Sequence, residues 1–304
     1  MIKFFLKISI MLILLVTGIG IIILIPLPEN AYDLAIIDKH RILASTKSPK
    51  IVLAGGSNLA FGIDSAKIQN ELHIPVVNMG FRVDIGMGRI LDDILPYLNS
   101  GDILLVVPEY EHFTSTWDGS GAVYELIFNT WQYRLLSSSY YGIANGFFDY
   151  LFTHLWVVIQ MNIITTSNMY LRNGFNEYGD YVKHLEEENQ SFVSDDDLGS
   201  ISQAYLNHFF QLVNEFSMRG ITLLLSYPCY DNQSYRNSAQ LIQKLDAEFK
   251  GKENLLVISS PASYSFPKNY FFNTAYHLNR EGRSVRTGQL IQDLQASGLF
   301  PRNY

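Results

Sequence analysis

Residues 50–64 read Lys-Ile-Val-Leu-Ala-Gly-Gly-Ser-Asn-Leu-Ala-Phe-Gly-Ile-Asp. A short apolar run, residues 50–54, ends in two glycines and Ser57, and a helix-period segment, residues 64–72, follows. An apolar run without alternation is what a strand buried on both faces looks like, as in a parallel sheet. The glycines let the chain turn sharply at little steric cost. Four further runs have this character: Val76-Val77 with their neighbours, 103–107 (ILLVV), 221–226 (ITLLLS) and 255–259 (LLVIS). Segments 64–72, 86–98, 198–218, 234–249 and 279–294 read as helices, with Asp64 or Ser65 capping the first and Gly220 ending the third. Strands alternating with helices predict a doubly wound α/β fold on a parallel sheet.

Between the third and fourth strands the alternation breaks. Residues 113–197 form an insertion rich in Tyr, Phe and Trp, acidic at 186–188 and 195–197. It is too long for a simple crossover, so it predicts helices of its own that cover part of the sheet's carboxyl edge. Its aromatics either pack a subdomain core or line a carbohydrate or acyl-chain groove. At the other end of the chain, residues 8–28 carry no charge, with Lys3 and Lys7 before them and Glu29 and Asp33 after. At about 1.5 Å per residue such a helix spans the hydrocarbon core of a bilayer. The flanking lysines predict a cytoplasmic N-terminus and an extracytoplasmic body. A cleaved signal peptide shares the charged start, but its apolar region is normally shorter, and no small-x-small site follows Ile25-Pro26-Leu27-Pro28. The expected organisation is a membrane anchor, 1–30, and one α/β domain, 31–304, carrying the insertion 113–197.

Composition removes several function classes. The chain has 304 residues, 48% hydrophobic and 17% charged, with a formal net charge of −7 and no long basic run. Nucleic-acid binding needs a basic face, so no nucleic-acid partner is expected. One cysteine, Cys229, excludes an internal disulfide and any multi-cysteine metal site; after a strand-like run it reads as a small apolar packer. No cofactor or metal is expected. His112 lies between Glu109 and Glu111, but adjacent positions on an extended segment point opposite ways.

In open α/β sheets ligands sit at the carboxyl ends of strands. Ser57 follows the first strand, Asn78-Met79-Gly80 the second, and Asn273-Thr274-Ala275-Tyr276-His277-Leu278-Asn279 precedes the final helix. Ser57 and His277 can be a nucleophile and its general base; Ser57 can also simply cap a helix. Arg82 and Asp84 can line the same cleft. Arg280, Arg283 and Arg286 recur at helical spacing, as a solvated face or a receptor for an anionic headgroup. His184, in the Gly- and Asn-rich segment 172–184, is read as a surface histidine or a substrate contact.

The Gly55-Gly56-Ser57 block, Gly80 and His277-Leu278-Asn279 together resemble the SGNH/GDSL hydrolase superfamily, over roughly residues 48–112 and 200–296. The phrase SNLAFGID (57–64) with YHLN (276–279) resembles its membrane-anchored, envelope-associated branch. The resemblance implies a three-layer, flavodoxin-like parallel sheet. It also implies acyl-ester hydrolysis or O-acyl transfer on cell-envelope glycans through an acyl-serine. Ser57, His277 and Asn273 would be catalytic, with Ser57 and Gly80 donating to the oxyanion. Asn58, Asn78, Glu109 and Tyr110 would bind substrate. The chain departs from the pattern at Gly56, where the family has Asp, and at Thr274, where the family's Asp before the histidine falls. It departs again at Val107-Pro108-Glu109-Tyr110, where the family has Gly-x-Asn. A catalytically silent glycan- or partner-binding protein of an envelope assembly is the alternative.

Overall fold

A computed structural model describes residues 1–130, 140–163 and 169–300. Five strands form one parallel sheet: β1 (Ile51–Gly55), β2 (Val76–Asn78), β3 (Ile103–Val107), β4 (Thr222–Leu225) and β6 (Leu256–Val257), ordered β2-β1-β3-β4-β6. All five fall on the runs read from sequence. Pairs such as Ile51 with Ile103 and Gly55 with Val107 set the central register. Two short strands, β5 (Tyr230–Asp231) and β7 (Ser265–Phe266), make a separate parallel pair.

The continuous apolar runs are explained by what covers each face. Val52, Ala54, Leu104, Val106, Leu223 and Leu225 point into one core, against α2 (Ala35–Ser45), α5 (Met87–Ile94), α8 (Gln203–Met218) and α10 (Ala239–Lys250). Ile51, Leu53, Ile103, Leu105, Val107 and Leu224 point into the other, against α3 (Ser57–Gly62), α4 (Ser65–Leu72) and α11 (Arg280–Ala296). Successive strand residues alternate faces, so a sheet covered on both sides must be apolar at every position. Asp64 caps α4, accepting from Lys67 N–H at 3.1 Å.

Several elements depart from expectation. Segment 234–249 is not one helix: α9 (Asn232–Asn237), capped by Asp231, and α10 meet at Ser238. Helix α8 begins at Gln203: residues 198–202 run without regular structure, with Leu198 N–H donating to Ser238 Oγ at 3.2 Å and Ser202 N–H to Phe113 O at 2.8 Å. Within the insertion lie α6 (Ala122–Thr130) and α7 (Tyr140–Ile163). Its last part is pinned to the sheet by Asp180, fully buried, which accepts from Ser65 N–H at 2.9 Å, Ser65 Oγ–H at 2.5 Å and Asn78 Nδ2 at 2.8 Å. The N-terminal helix α1 (Ile2–Leu24) is long and apolar enough to cross a membrane, and none of the window that qualifies it is buried.

Candidate active site

The strand order reverses direction between β1 and β3, and the loops leaving their carboxyl ends meet there. Gly55-Gly56 turn the chain out of β1 and place Ser57 at the first position of α3. From the end of β3 comes Glu109, 2% exposed. Its Oε1 accepts from Asn58 N–H at 2.8 Å, from Ser57 Oγ–H at 3.2 Å and from Asn58 Nδ2 at 3.3 Å. Glu109 therefore caps α3 from across the sheet, satisfying a first-turn N–H that has no partner within the helix. A Cβ at residue 56 would lie 2.5 Å from this oxygen, so Gly56 leaves the space that the Glu109 carboxylate fills. Burial raises the Glu109 pKa, while its bonds from Asn58 and Ser57 and the charge of Arg286 act against the rise.

His277 is held by a tight loop closed by an antiparallel bridge between Phe271 and Leu278. Phe272 N–H donates to His277 O at 2.7 Å, and Thr274 Oγ1 accepts from His277 N–H at 3.1 Å. Thr274 thus serves the backbone of the loop, not the imidazole. The ring stacks on Phe61 with centroids 4.0 Å apart and planes within 7°. Asn273 Nδ2 donates to Tyr170 Oη at 2.8 Å, which leaves its Oδ1 to accept from His277 Nδ1–H at 2.9 Å. In that tautomer Nε2 carries the lone pair a general base needs. Burial, with the neighbouring His184, pushes the His277 pKa down to about 3, so the ring is neutral at ordinary pH.

Ser57 and His277 line one cleft of about 450 Å³ with Phe61, Tyr170, Arg82, Asp84 and, from α7, Val157 and Gln160. Val157, Gln160 and Tyr170 of the insertion thus cover part of the sheet's carboxyl edge. Arg82 and Asp84 are where the sequence placed them: Arg82 bridges Asp33 at 2.7 Å and Asp84 at 2.6 Å across the cleft wall. Tyr32, Asp33, Phe61 and Tyr170 were not singled out from sequence. Only Tyr170 carried a signal, as one aromatic among many in the insertion.

No protein-family model matches the chain, and no curated protein matches it. A solved structure from Streptococcus pneumonia, provisionally named a platelet activating factor, is similar at 10% identity and a TM-score of 0.43. The match covers 86% of this chain and 90% of that one.

Several expected contacts are corrected. Asn58, Asn78, Glu109 and Tyr110 do not line the cleft; all four are buried beneath it, between 0% and 2% exposed. Asn58 bonds Val107 O at 3.2 Å, and Asn78 bonds Leu59 O at 2.9 Å. They join α3 to the strand ends, where a substrate does not reach. Gly80 N–H already donates to Asn78 Oδ1 at 2.9 Å, which occupies the donor expected for an oxyanion. A Cβ at Gly80 would come within 2.4 Å of Leu59 Cβ, so the glycine permits close packing on α3. Arg283 and Arg286 are not a solvated face. Arg283 binds Ile63 O at 2.7 Å and Asp180 at 3.2 Å, and Arg286 binds Asn58 Oδ1 at 3.1 Å. His184 is neither a surface residue nor a cleft contact: it is 1% exposed, bonded to Leu278 O at 2.9 Å and packed on Phe61. Cys229 is buried, bonded to Tyr276 O at 3.0 Å, with its thiol pKa pushed up to about 11 by burial, which is an inert packing residue.

Proposed function

We propose that the chain is a membrane-anchored, SGNH-like acyl-ester hydrolase or O-acyltransferase of the cell envelope, with an acylated glycan as substrate. The observation that carries the reading is the placement of Ser57 and the Asn273-oriented His277 on one cleft at the carboxyl end of a parallel sheet. Ser57 Oγ turns from Glu109 to His277 and attacks the acyl carbonyl while His277 Nε2 takes its proton. The Ser57 N–H, at the positive end of α3, receives the oxyanion. His277 then returns the proton to the leaving alkoxide. Water or an acceptor hydroxyl, deprotonated by His277, then attacks the acyl-serine carbonyl; the bond from Ser57 Oγ to the acyl carbon breaks, and His277 returns the proton to Ser57 Oγ. Helix α1 tethers the domain with the N-terminus on the cytoplasmic side.

Three observations favour a second reading, in which the cleft binds a glycan or partner of an envelope assembly without turnover. Ser57 is hydrogen-bonded to Glu109, the Gly80 donor is occupied, and the residue orienting His277 carries no charge. Intact-mass spectrometry after treatment with a serine-directed fluorophosphonate separates the two. A single adduct lost in both Ser57→Ala and His277→Ala is the result expected of an activated nucleophile. A folded protein that takes no adduct assigns the cleft to binding alone.

A further inference from the structure

Helix α7 has three distinct faces. At about 100° per residue, Phe148, Phe152 and Trp156 form one stripe about 80° wide; they are 54%, 74% and 56% exposed. Val157 and Gln160, beside that stripe, line the cleft of Ser57 and His277. Tyr150, Leu151 and His154 fall on the opposite side and are buried. Across its 24 residues the helix carries one acidic residue, Asp149, and no Lys or Arg. A row of large exposed aromatics on such a helix needs a cover.

The position of α1 says what covers it. Ile19, Ile22 and Ile23, in the last turns of α1, pack on the cluster of Tyr124, Tyr150 and Leu151. His154 Nε2–H donates to the carbonyl of Ile25, where α1 ends, at 2.8 Å. The five steps from Ile19 to Leu24 rise about 7.5 Å. That is the depth, about 5–10 Å, to which interfacial helices sink their apolar face. Aromatic side chains favour this layer. Helix α7 thus packs by its buried face on the end of α1, and its exposed stripe belongs to an element anchored where α1 would leave a bilayer.

We propose that α7 lies in the interfacial layer of the membrane that α1 enters, with Phe148, Phe152 and Trp156 among the lipids, so that the cleft is held at the membrane surface. This rests on the reading of α1 as an anchor. Val157 follows Trp156 directly, so the cleft wall and the lipid-facing stripe are parts of one rigid element. The site is then presented to esters carried at the surface of that membrane, and movement of α7 in the lipid is transmitted to the cleft wall.

Because Cys229 is fully buried, one introduced cysteine is the accessible thiol in the full-length chain. Phe152→Cys, Leu14→Cys on α1 and the distant, 82% exposed Met218→Cys are each labelled with an environment-sensitive fluorophore. The proteins are reconstituted in phosphatidylcholine vesicles containing lipids with a nitroxide near the headgroup or at mid-chain. The expected result is quenching at Phe152→Cys several-fold above that at Met218→Cys, stronger from the headgroup-level nitroxide than from the mid-chain one. Quenching at Phe152→Cys equal to that at Met218→Cys, with Leu14→Cys quenched, overturns the placement of α7 and leaves the anchor standing. An unquenched Leu14→Cys overturns the anchor, and the placement with it.

Discussion

Asn273 sets how strong a base His277 can be. Its amide oxygen orients the imidazole at 2.9 Å but supplies no charge to stabilise imidazolium, and burial beside His184 holds the ring near a pKa of about 3. In the serine-protease triad, exchanging the orienting Asp for Asn costs about 10⁴ in turnover. Asn273→Asp is therefore expected to raise the His277 pKa and to speed fluorophosphonate labelling of Ser57 by at least about 10-fold. Tyr170 can turn its hydroxyl to donate to the new carboxylate. The sign of the pH dependence follows from the depressed pKa. The native ring stays neutral as pH falls from 8 towards 4, so labelling should show no loss near the ordinary histidine pKa of 6.5. In Asn273→Asp the acid limb should move to higher pH. Labelling rates across that range check both; an acid limb near pH 6.5 in the native chain would refute the account.

The turn from β1 into α3 works because two elements share one carboxylate. Glu109, at the end of β3, takes the place above Gly56 that a side chain there would occupy. Gly56→Ala would set a Cβ 2.5 Å from Glu109 Oε1. The carboxylate would have to shift and give up the 2.8 Å bond to Asn58 N–H. The expected cost is about 1–3 kcal/mol in denaturant unfolding, from crowding and a weakened cap. Adding Glu109→Ala should then cost less than the two single changes summed, because the residues are in contact. Additive costs would show that the two sites do not communicate. Element boundaries follow the same logic. Helix α2 was not read from sequence because Asp38, Lys39, His40 and Arg41 stand in a row and mask its apolar face. Only tertiary contacts turn Lys39 inward, to the carbonyls of Asn78 and Gly179 at 2.9 and 2.5 Å, and His40 to Asp93 at 2.6 Å.

The stability of the whole molecule carries the cost of buried imidazoles. Burial depresses His112 and His184 to a pKa of about 4 and His277 to about 3, each from 6.5. As pH falls through 6.5 the unfolded chain takes up these protons first, so stability present above 6.5 is lost progressively down to pH 4 or 3. Glu111 works in the other direction. Burial and the nearby Glu109 raise it to about 8 from 4.5, so its contribution is full below pH 4.5 and is lost as pH rises through 8. His112 isolates the first effect. Both ring nitrogens are buried without a hydrogen-bond partner among the described residues. His112→Phe is expected to raise Tm, and to raise it more at pH 5 than at pH 8. Calorimetry at the two pH values tests this; a gain that does not grow towards acid would show that His112 is not held neutral.

The strands, their parallel stacking, the insertion and the apolar N-terminal helix were legible in the chain itself. Each depends on which residues avoid water, and hydrophobic period records that directly. The placement of Ser57 and His277 at the sheet's carboxyl edge was legible too, because the elements on either side of them were. What no local pattern carried was the direction of single polar side chains. Glu109, Asn58, Asn78, Arg283, Arg286 and His184 all look like surface or cleft residues in one dimension. In the fold they turn inward, because the sheet, α3 and the insertion bring buried N–H and C=O groups together that must find partners. Those partners come from residues as much as 228 positions apart, as for Arg286 and Asn58. Such separations are decided by the packing of layers and leave no trace in local spacing.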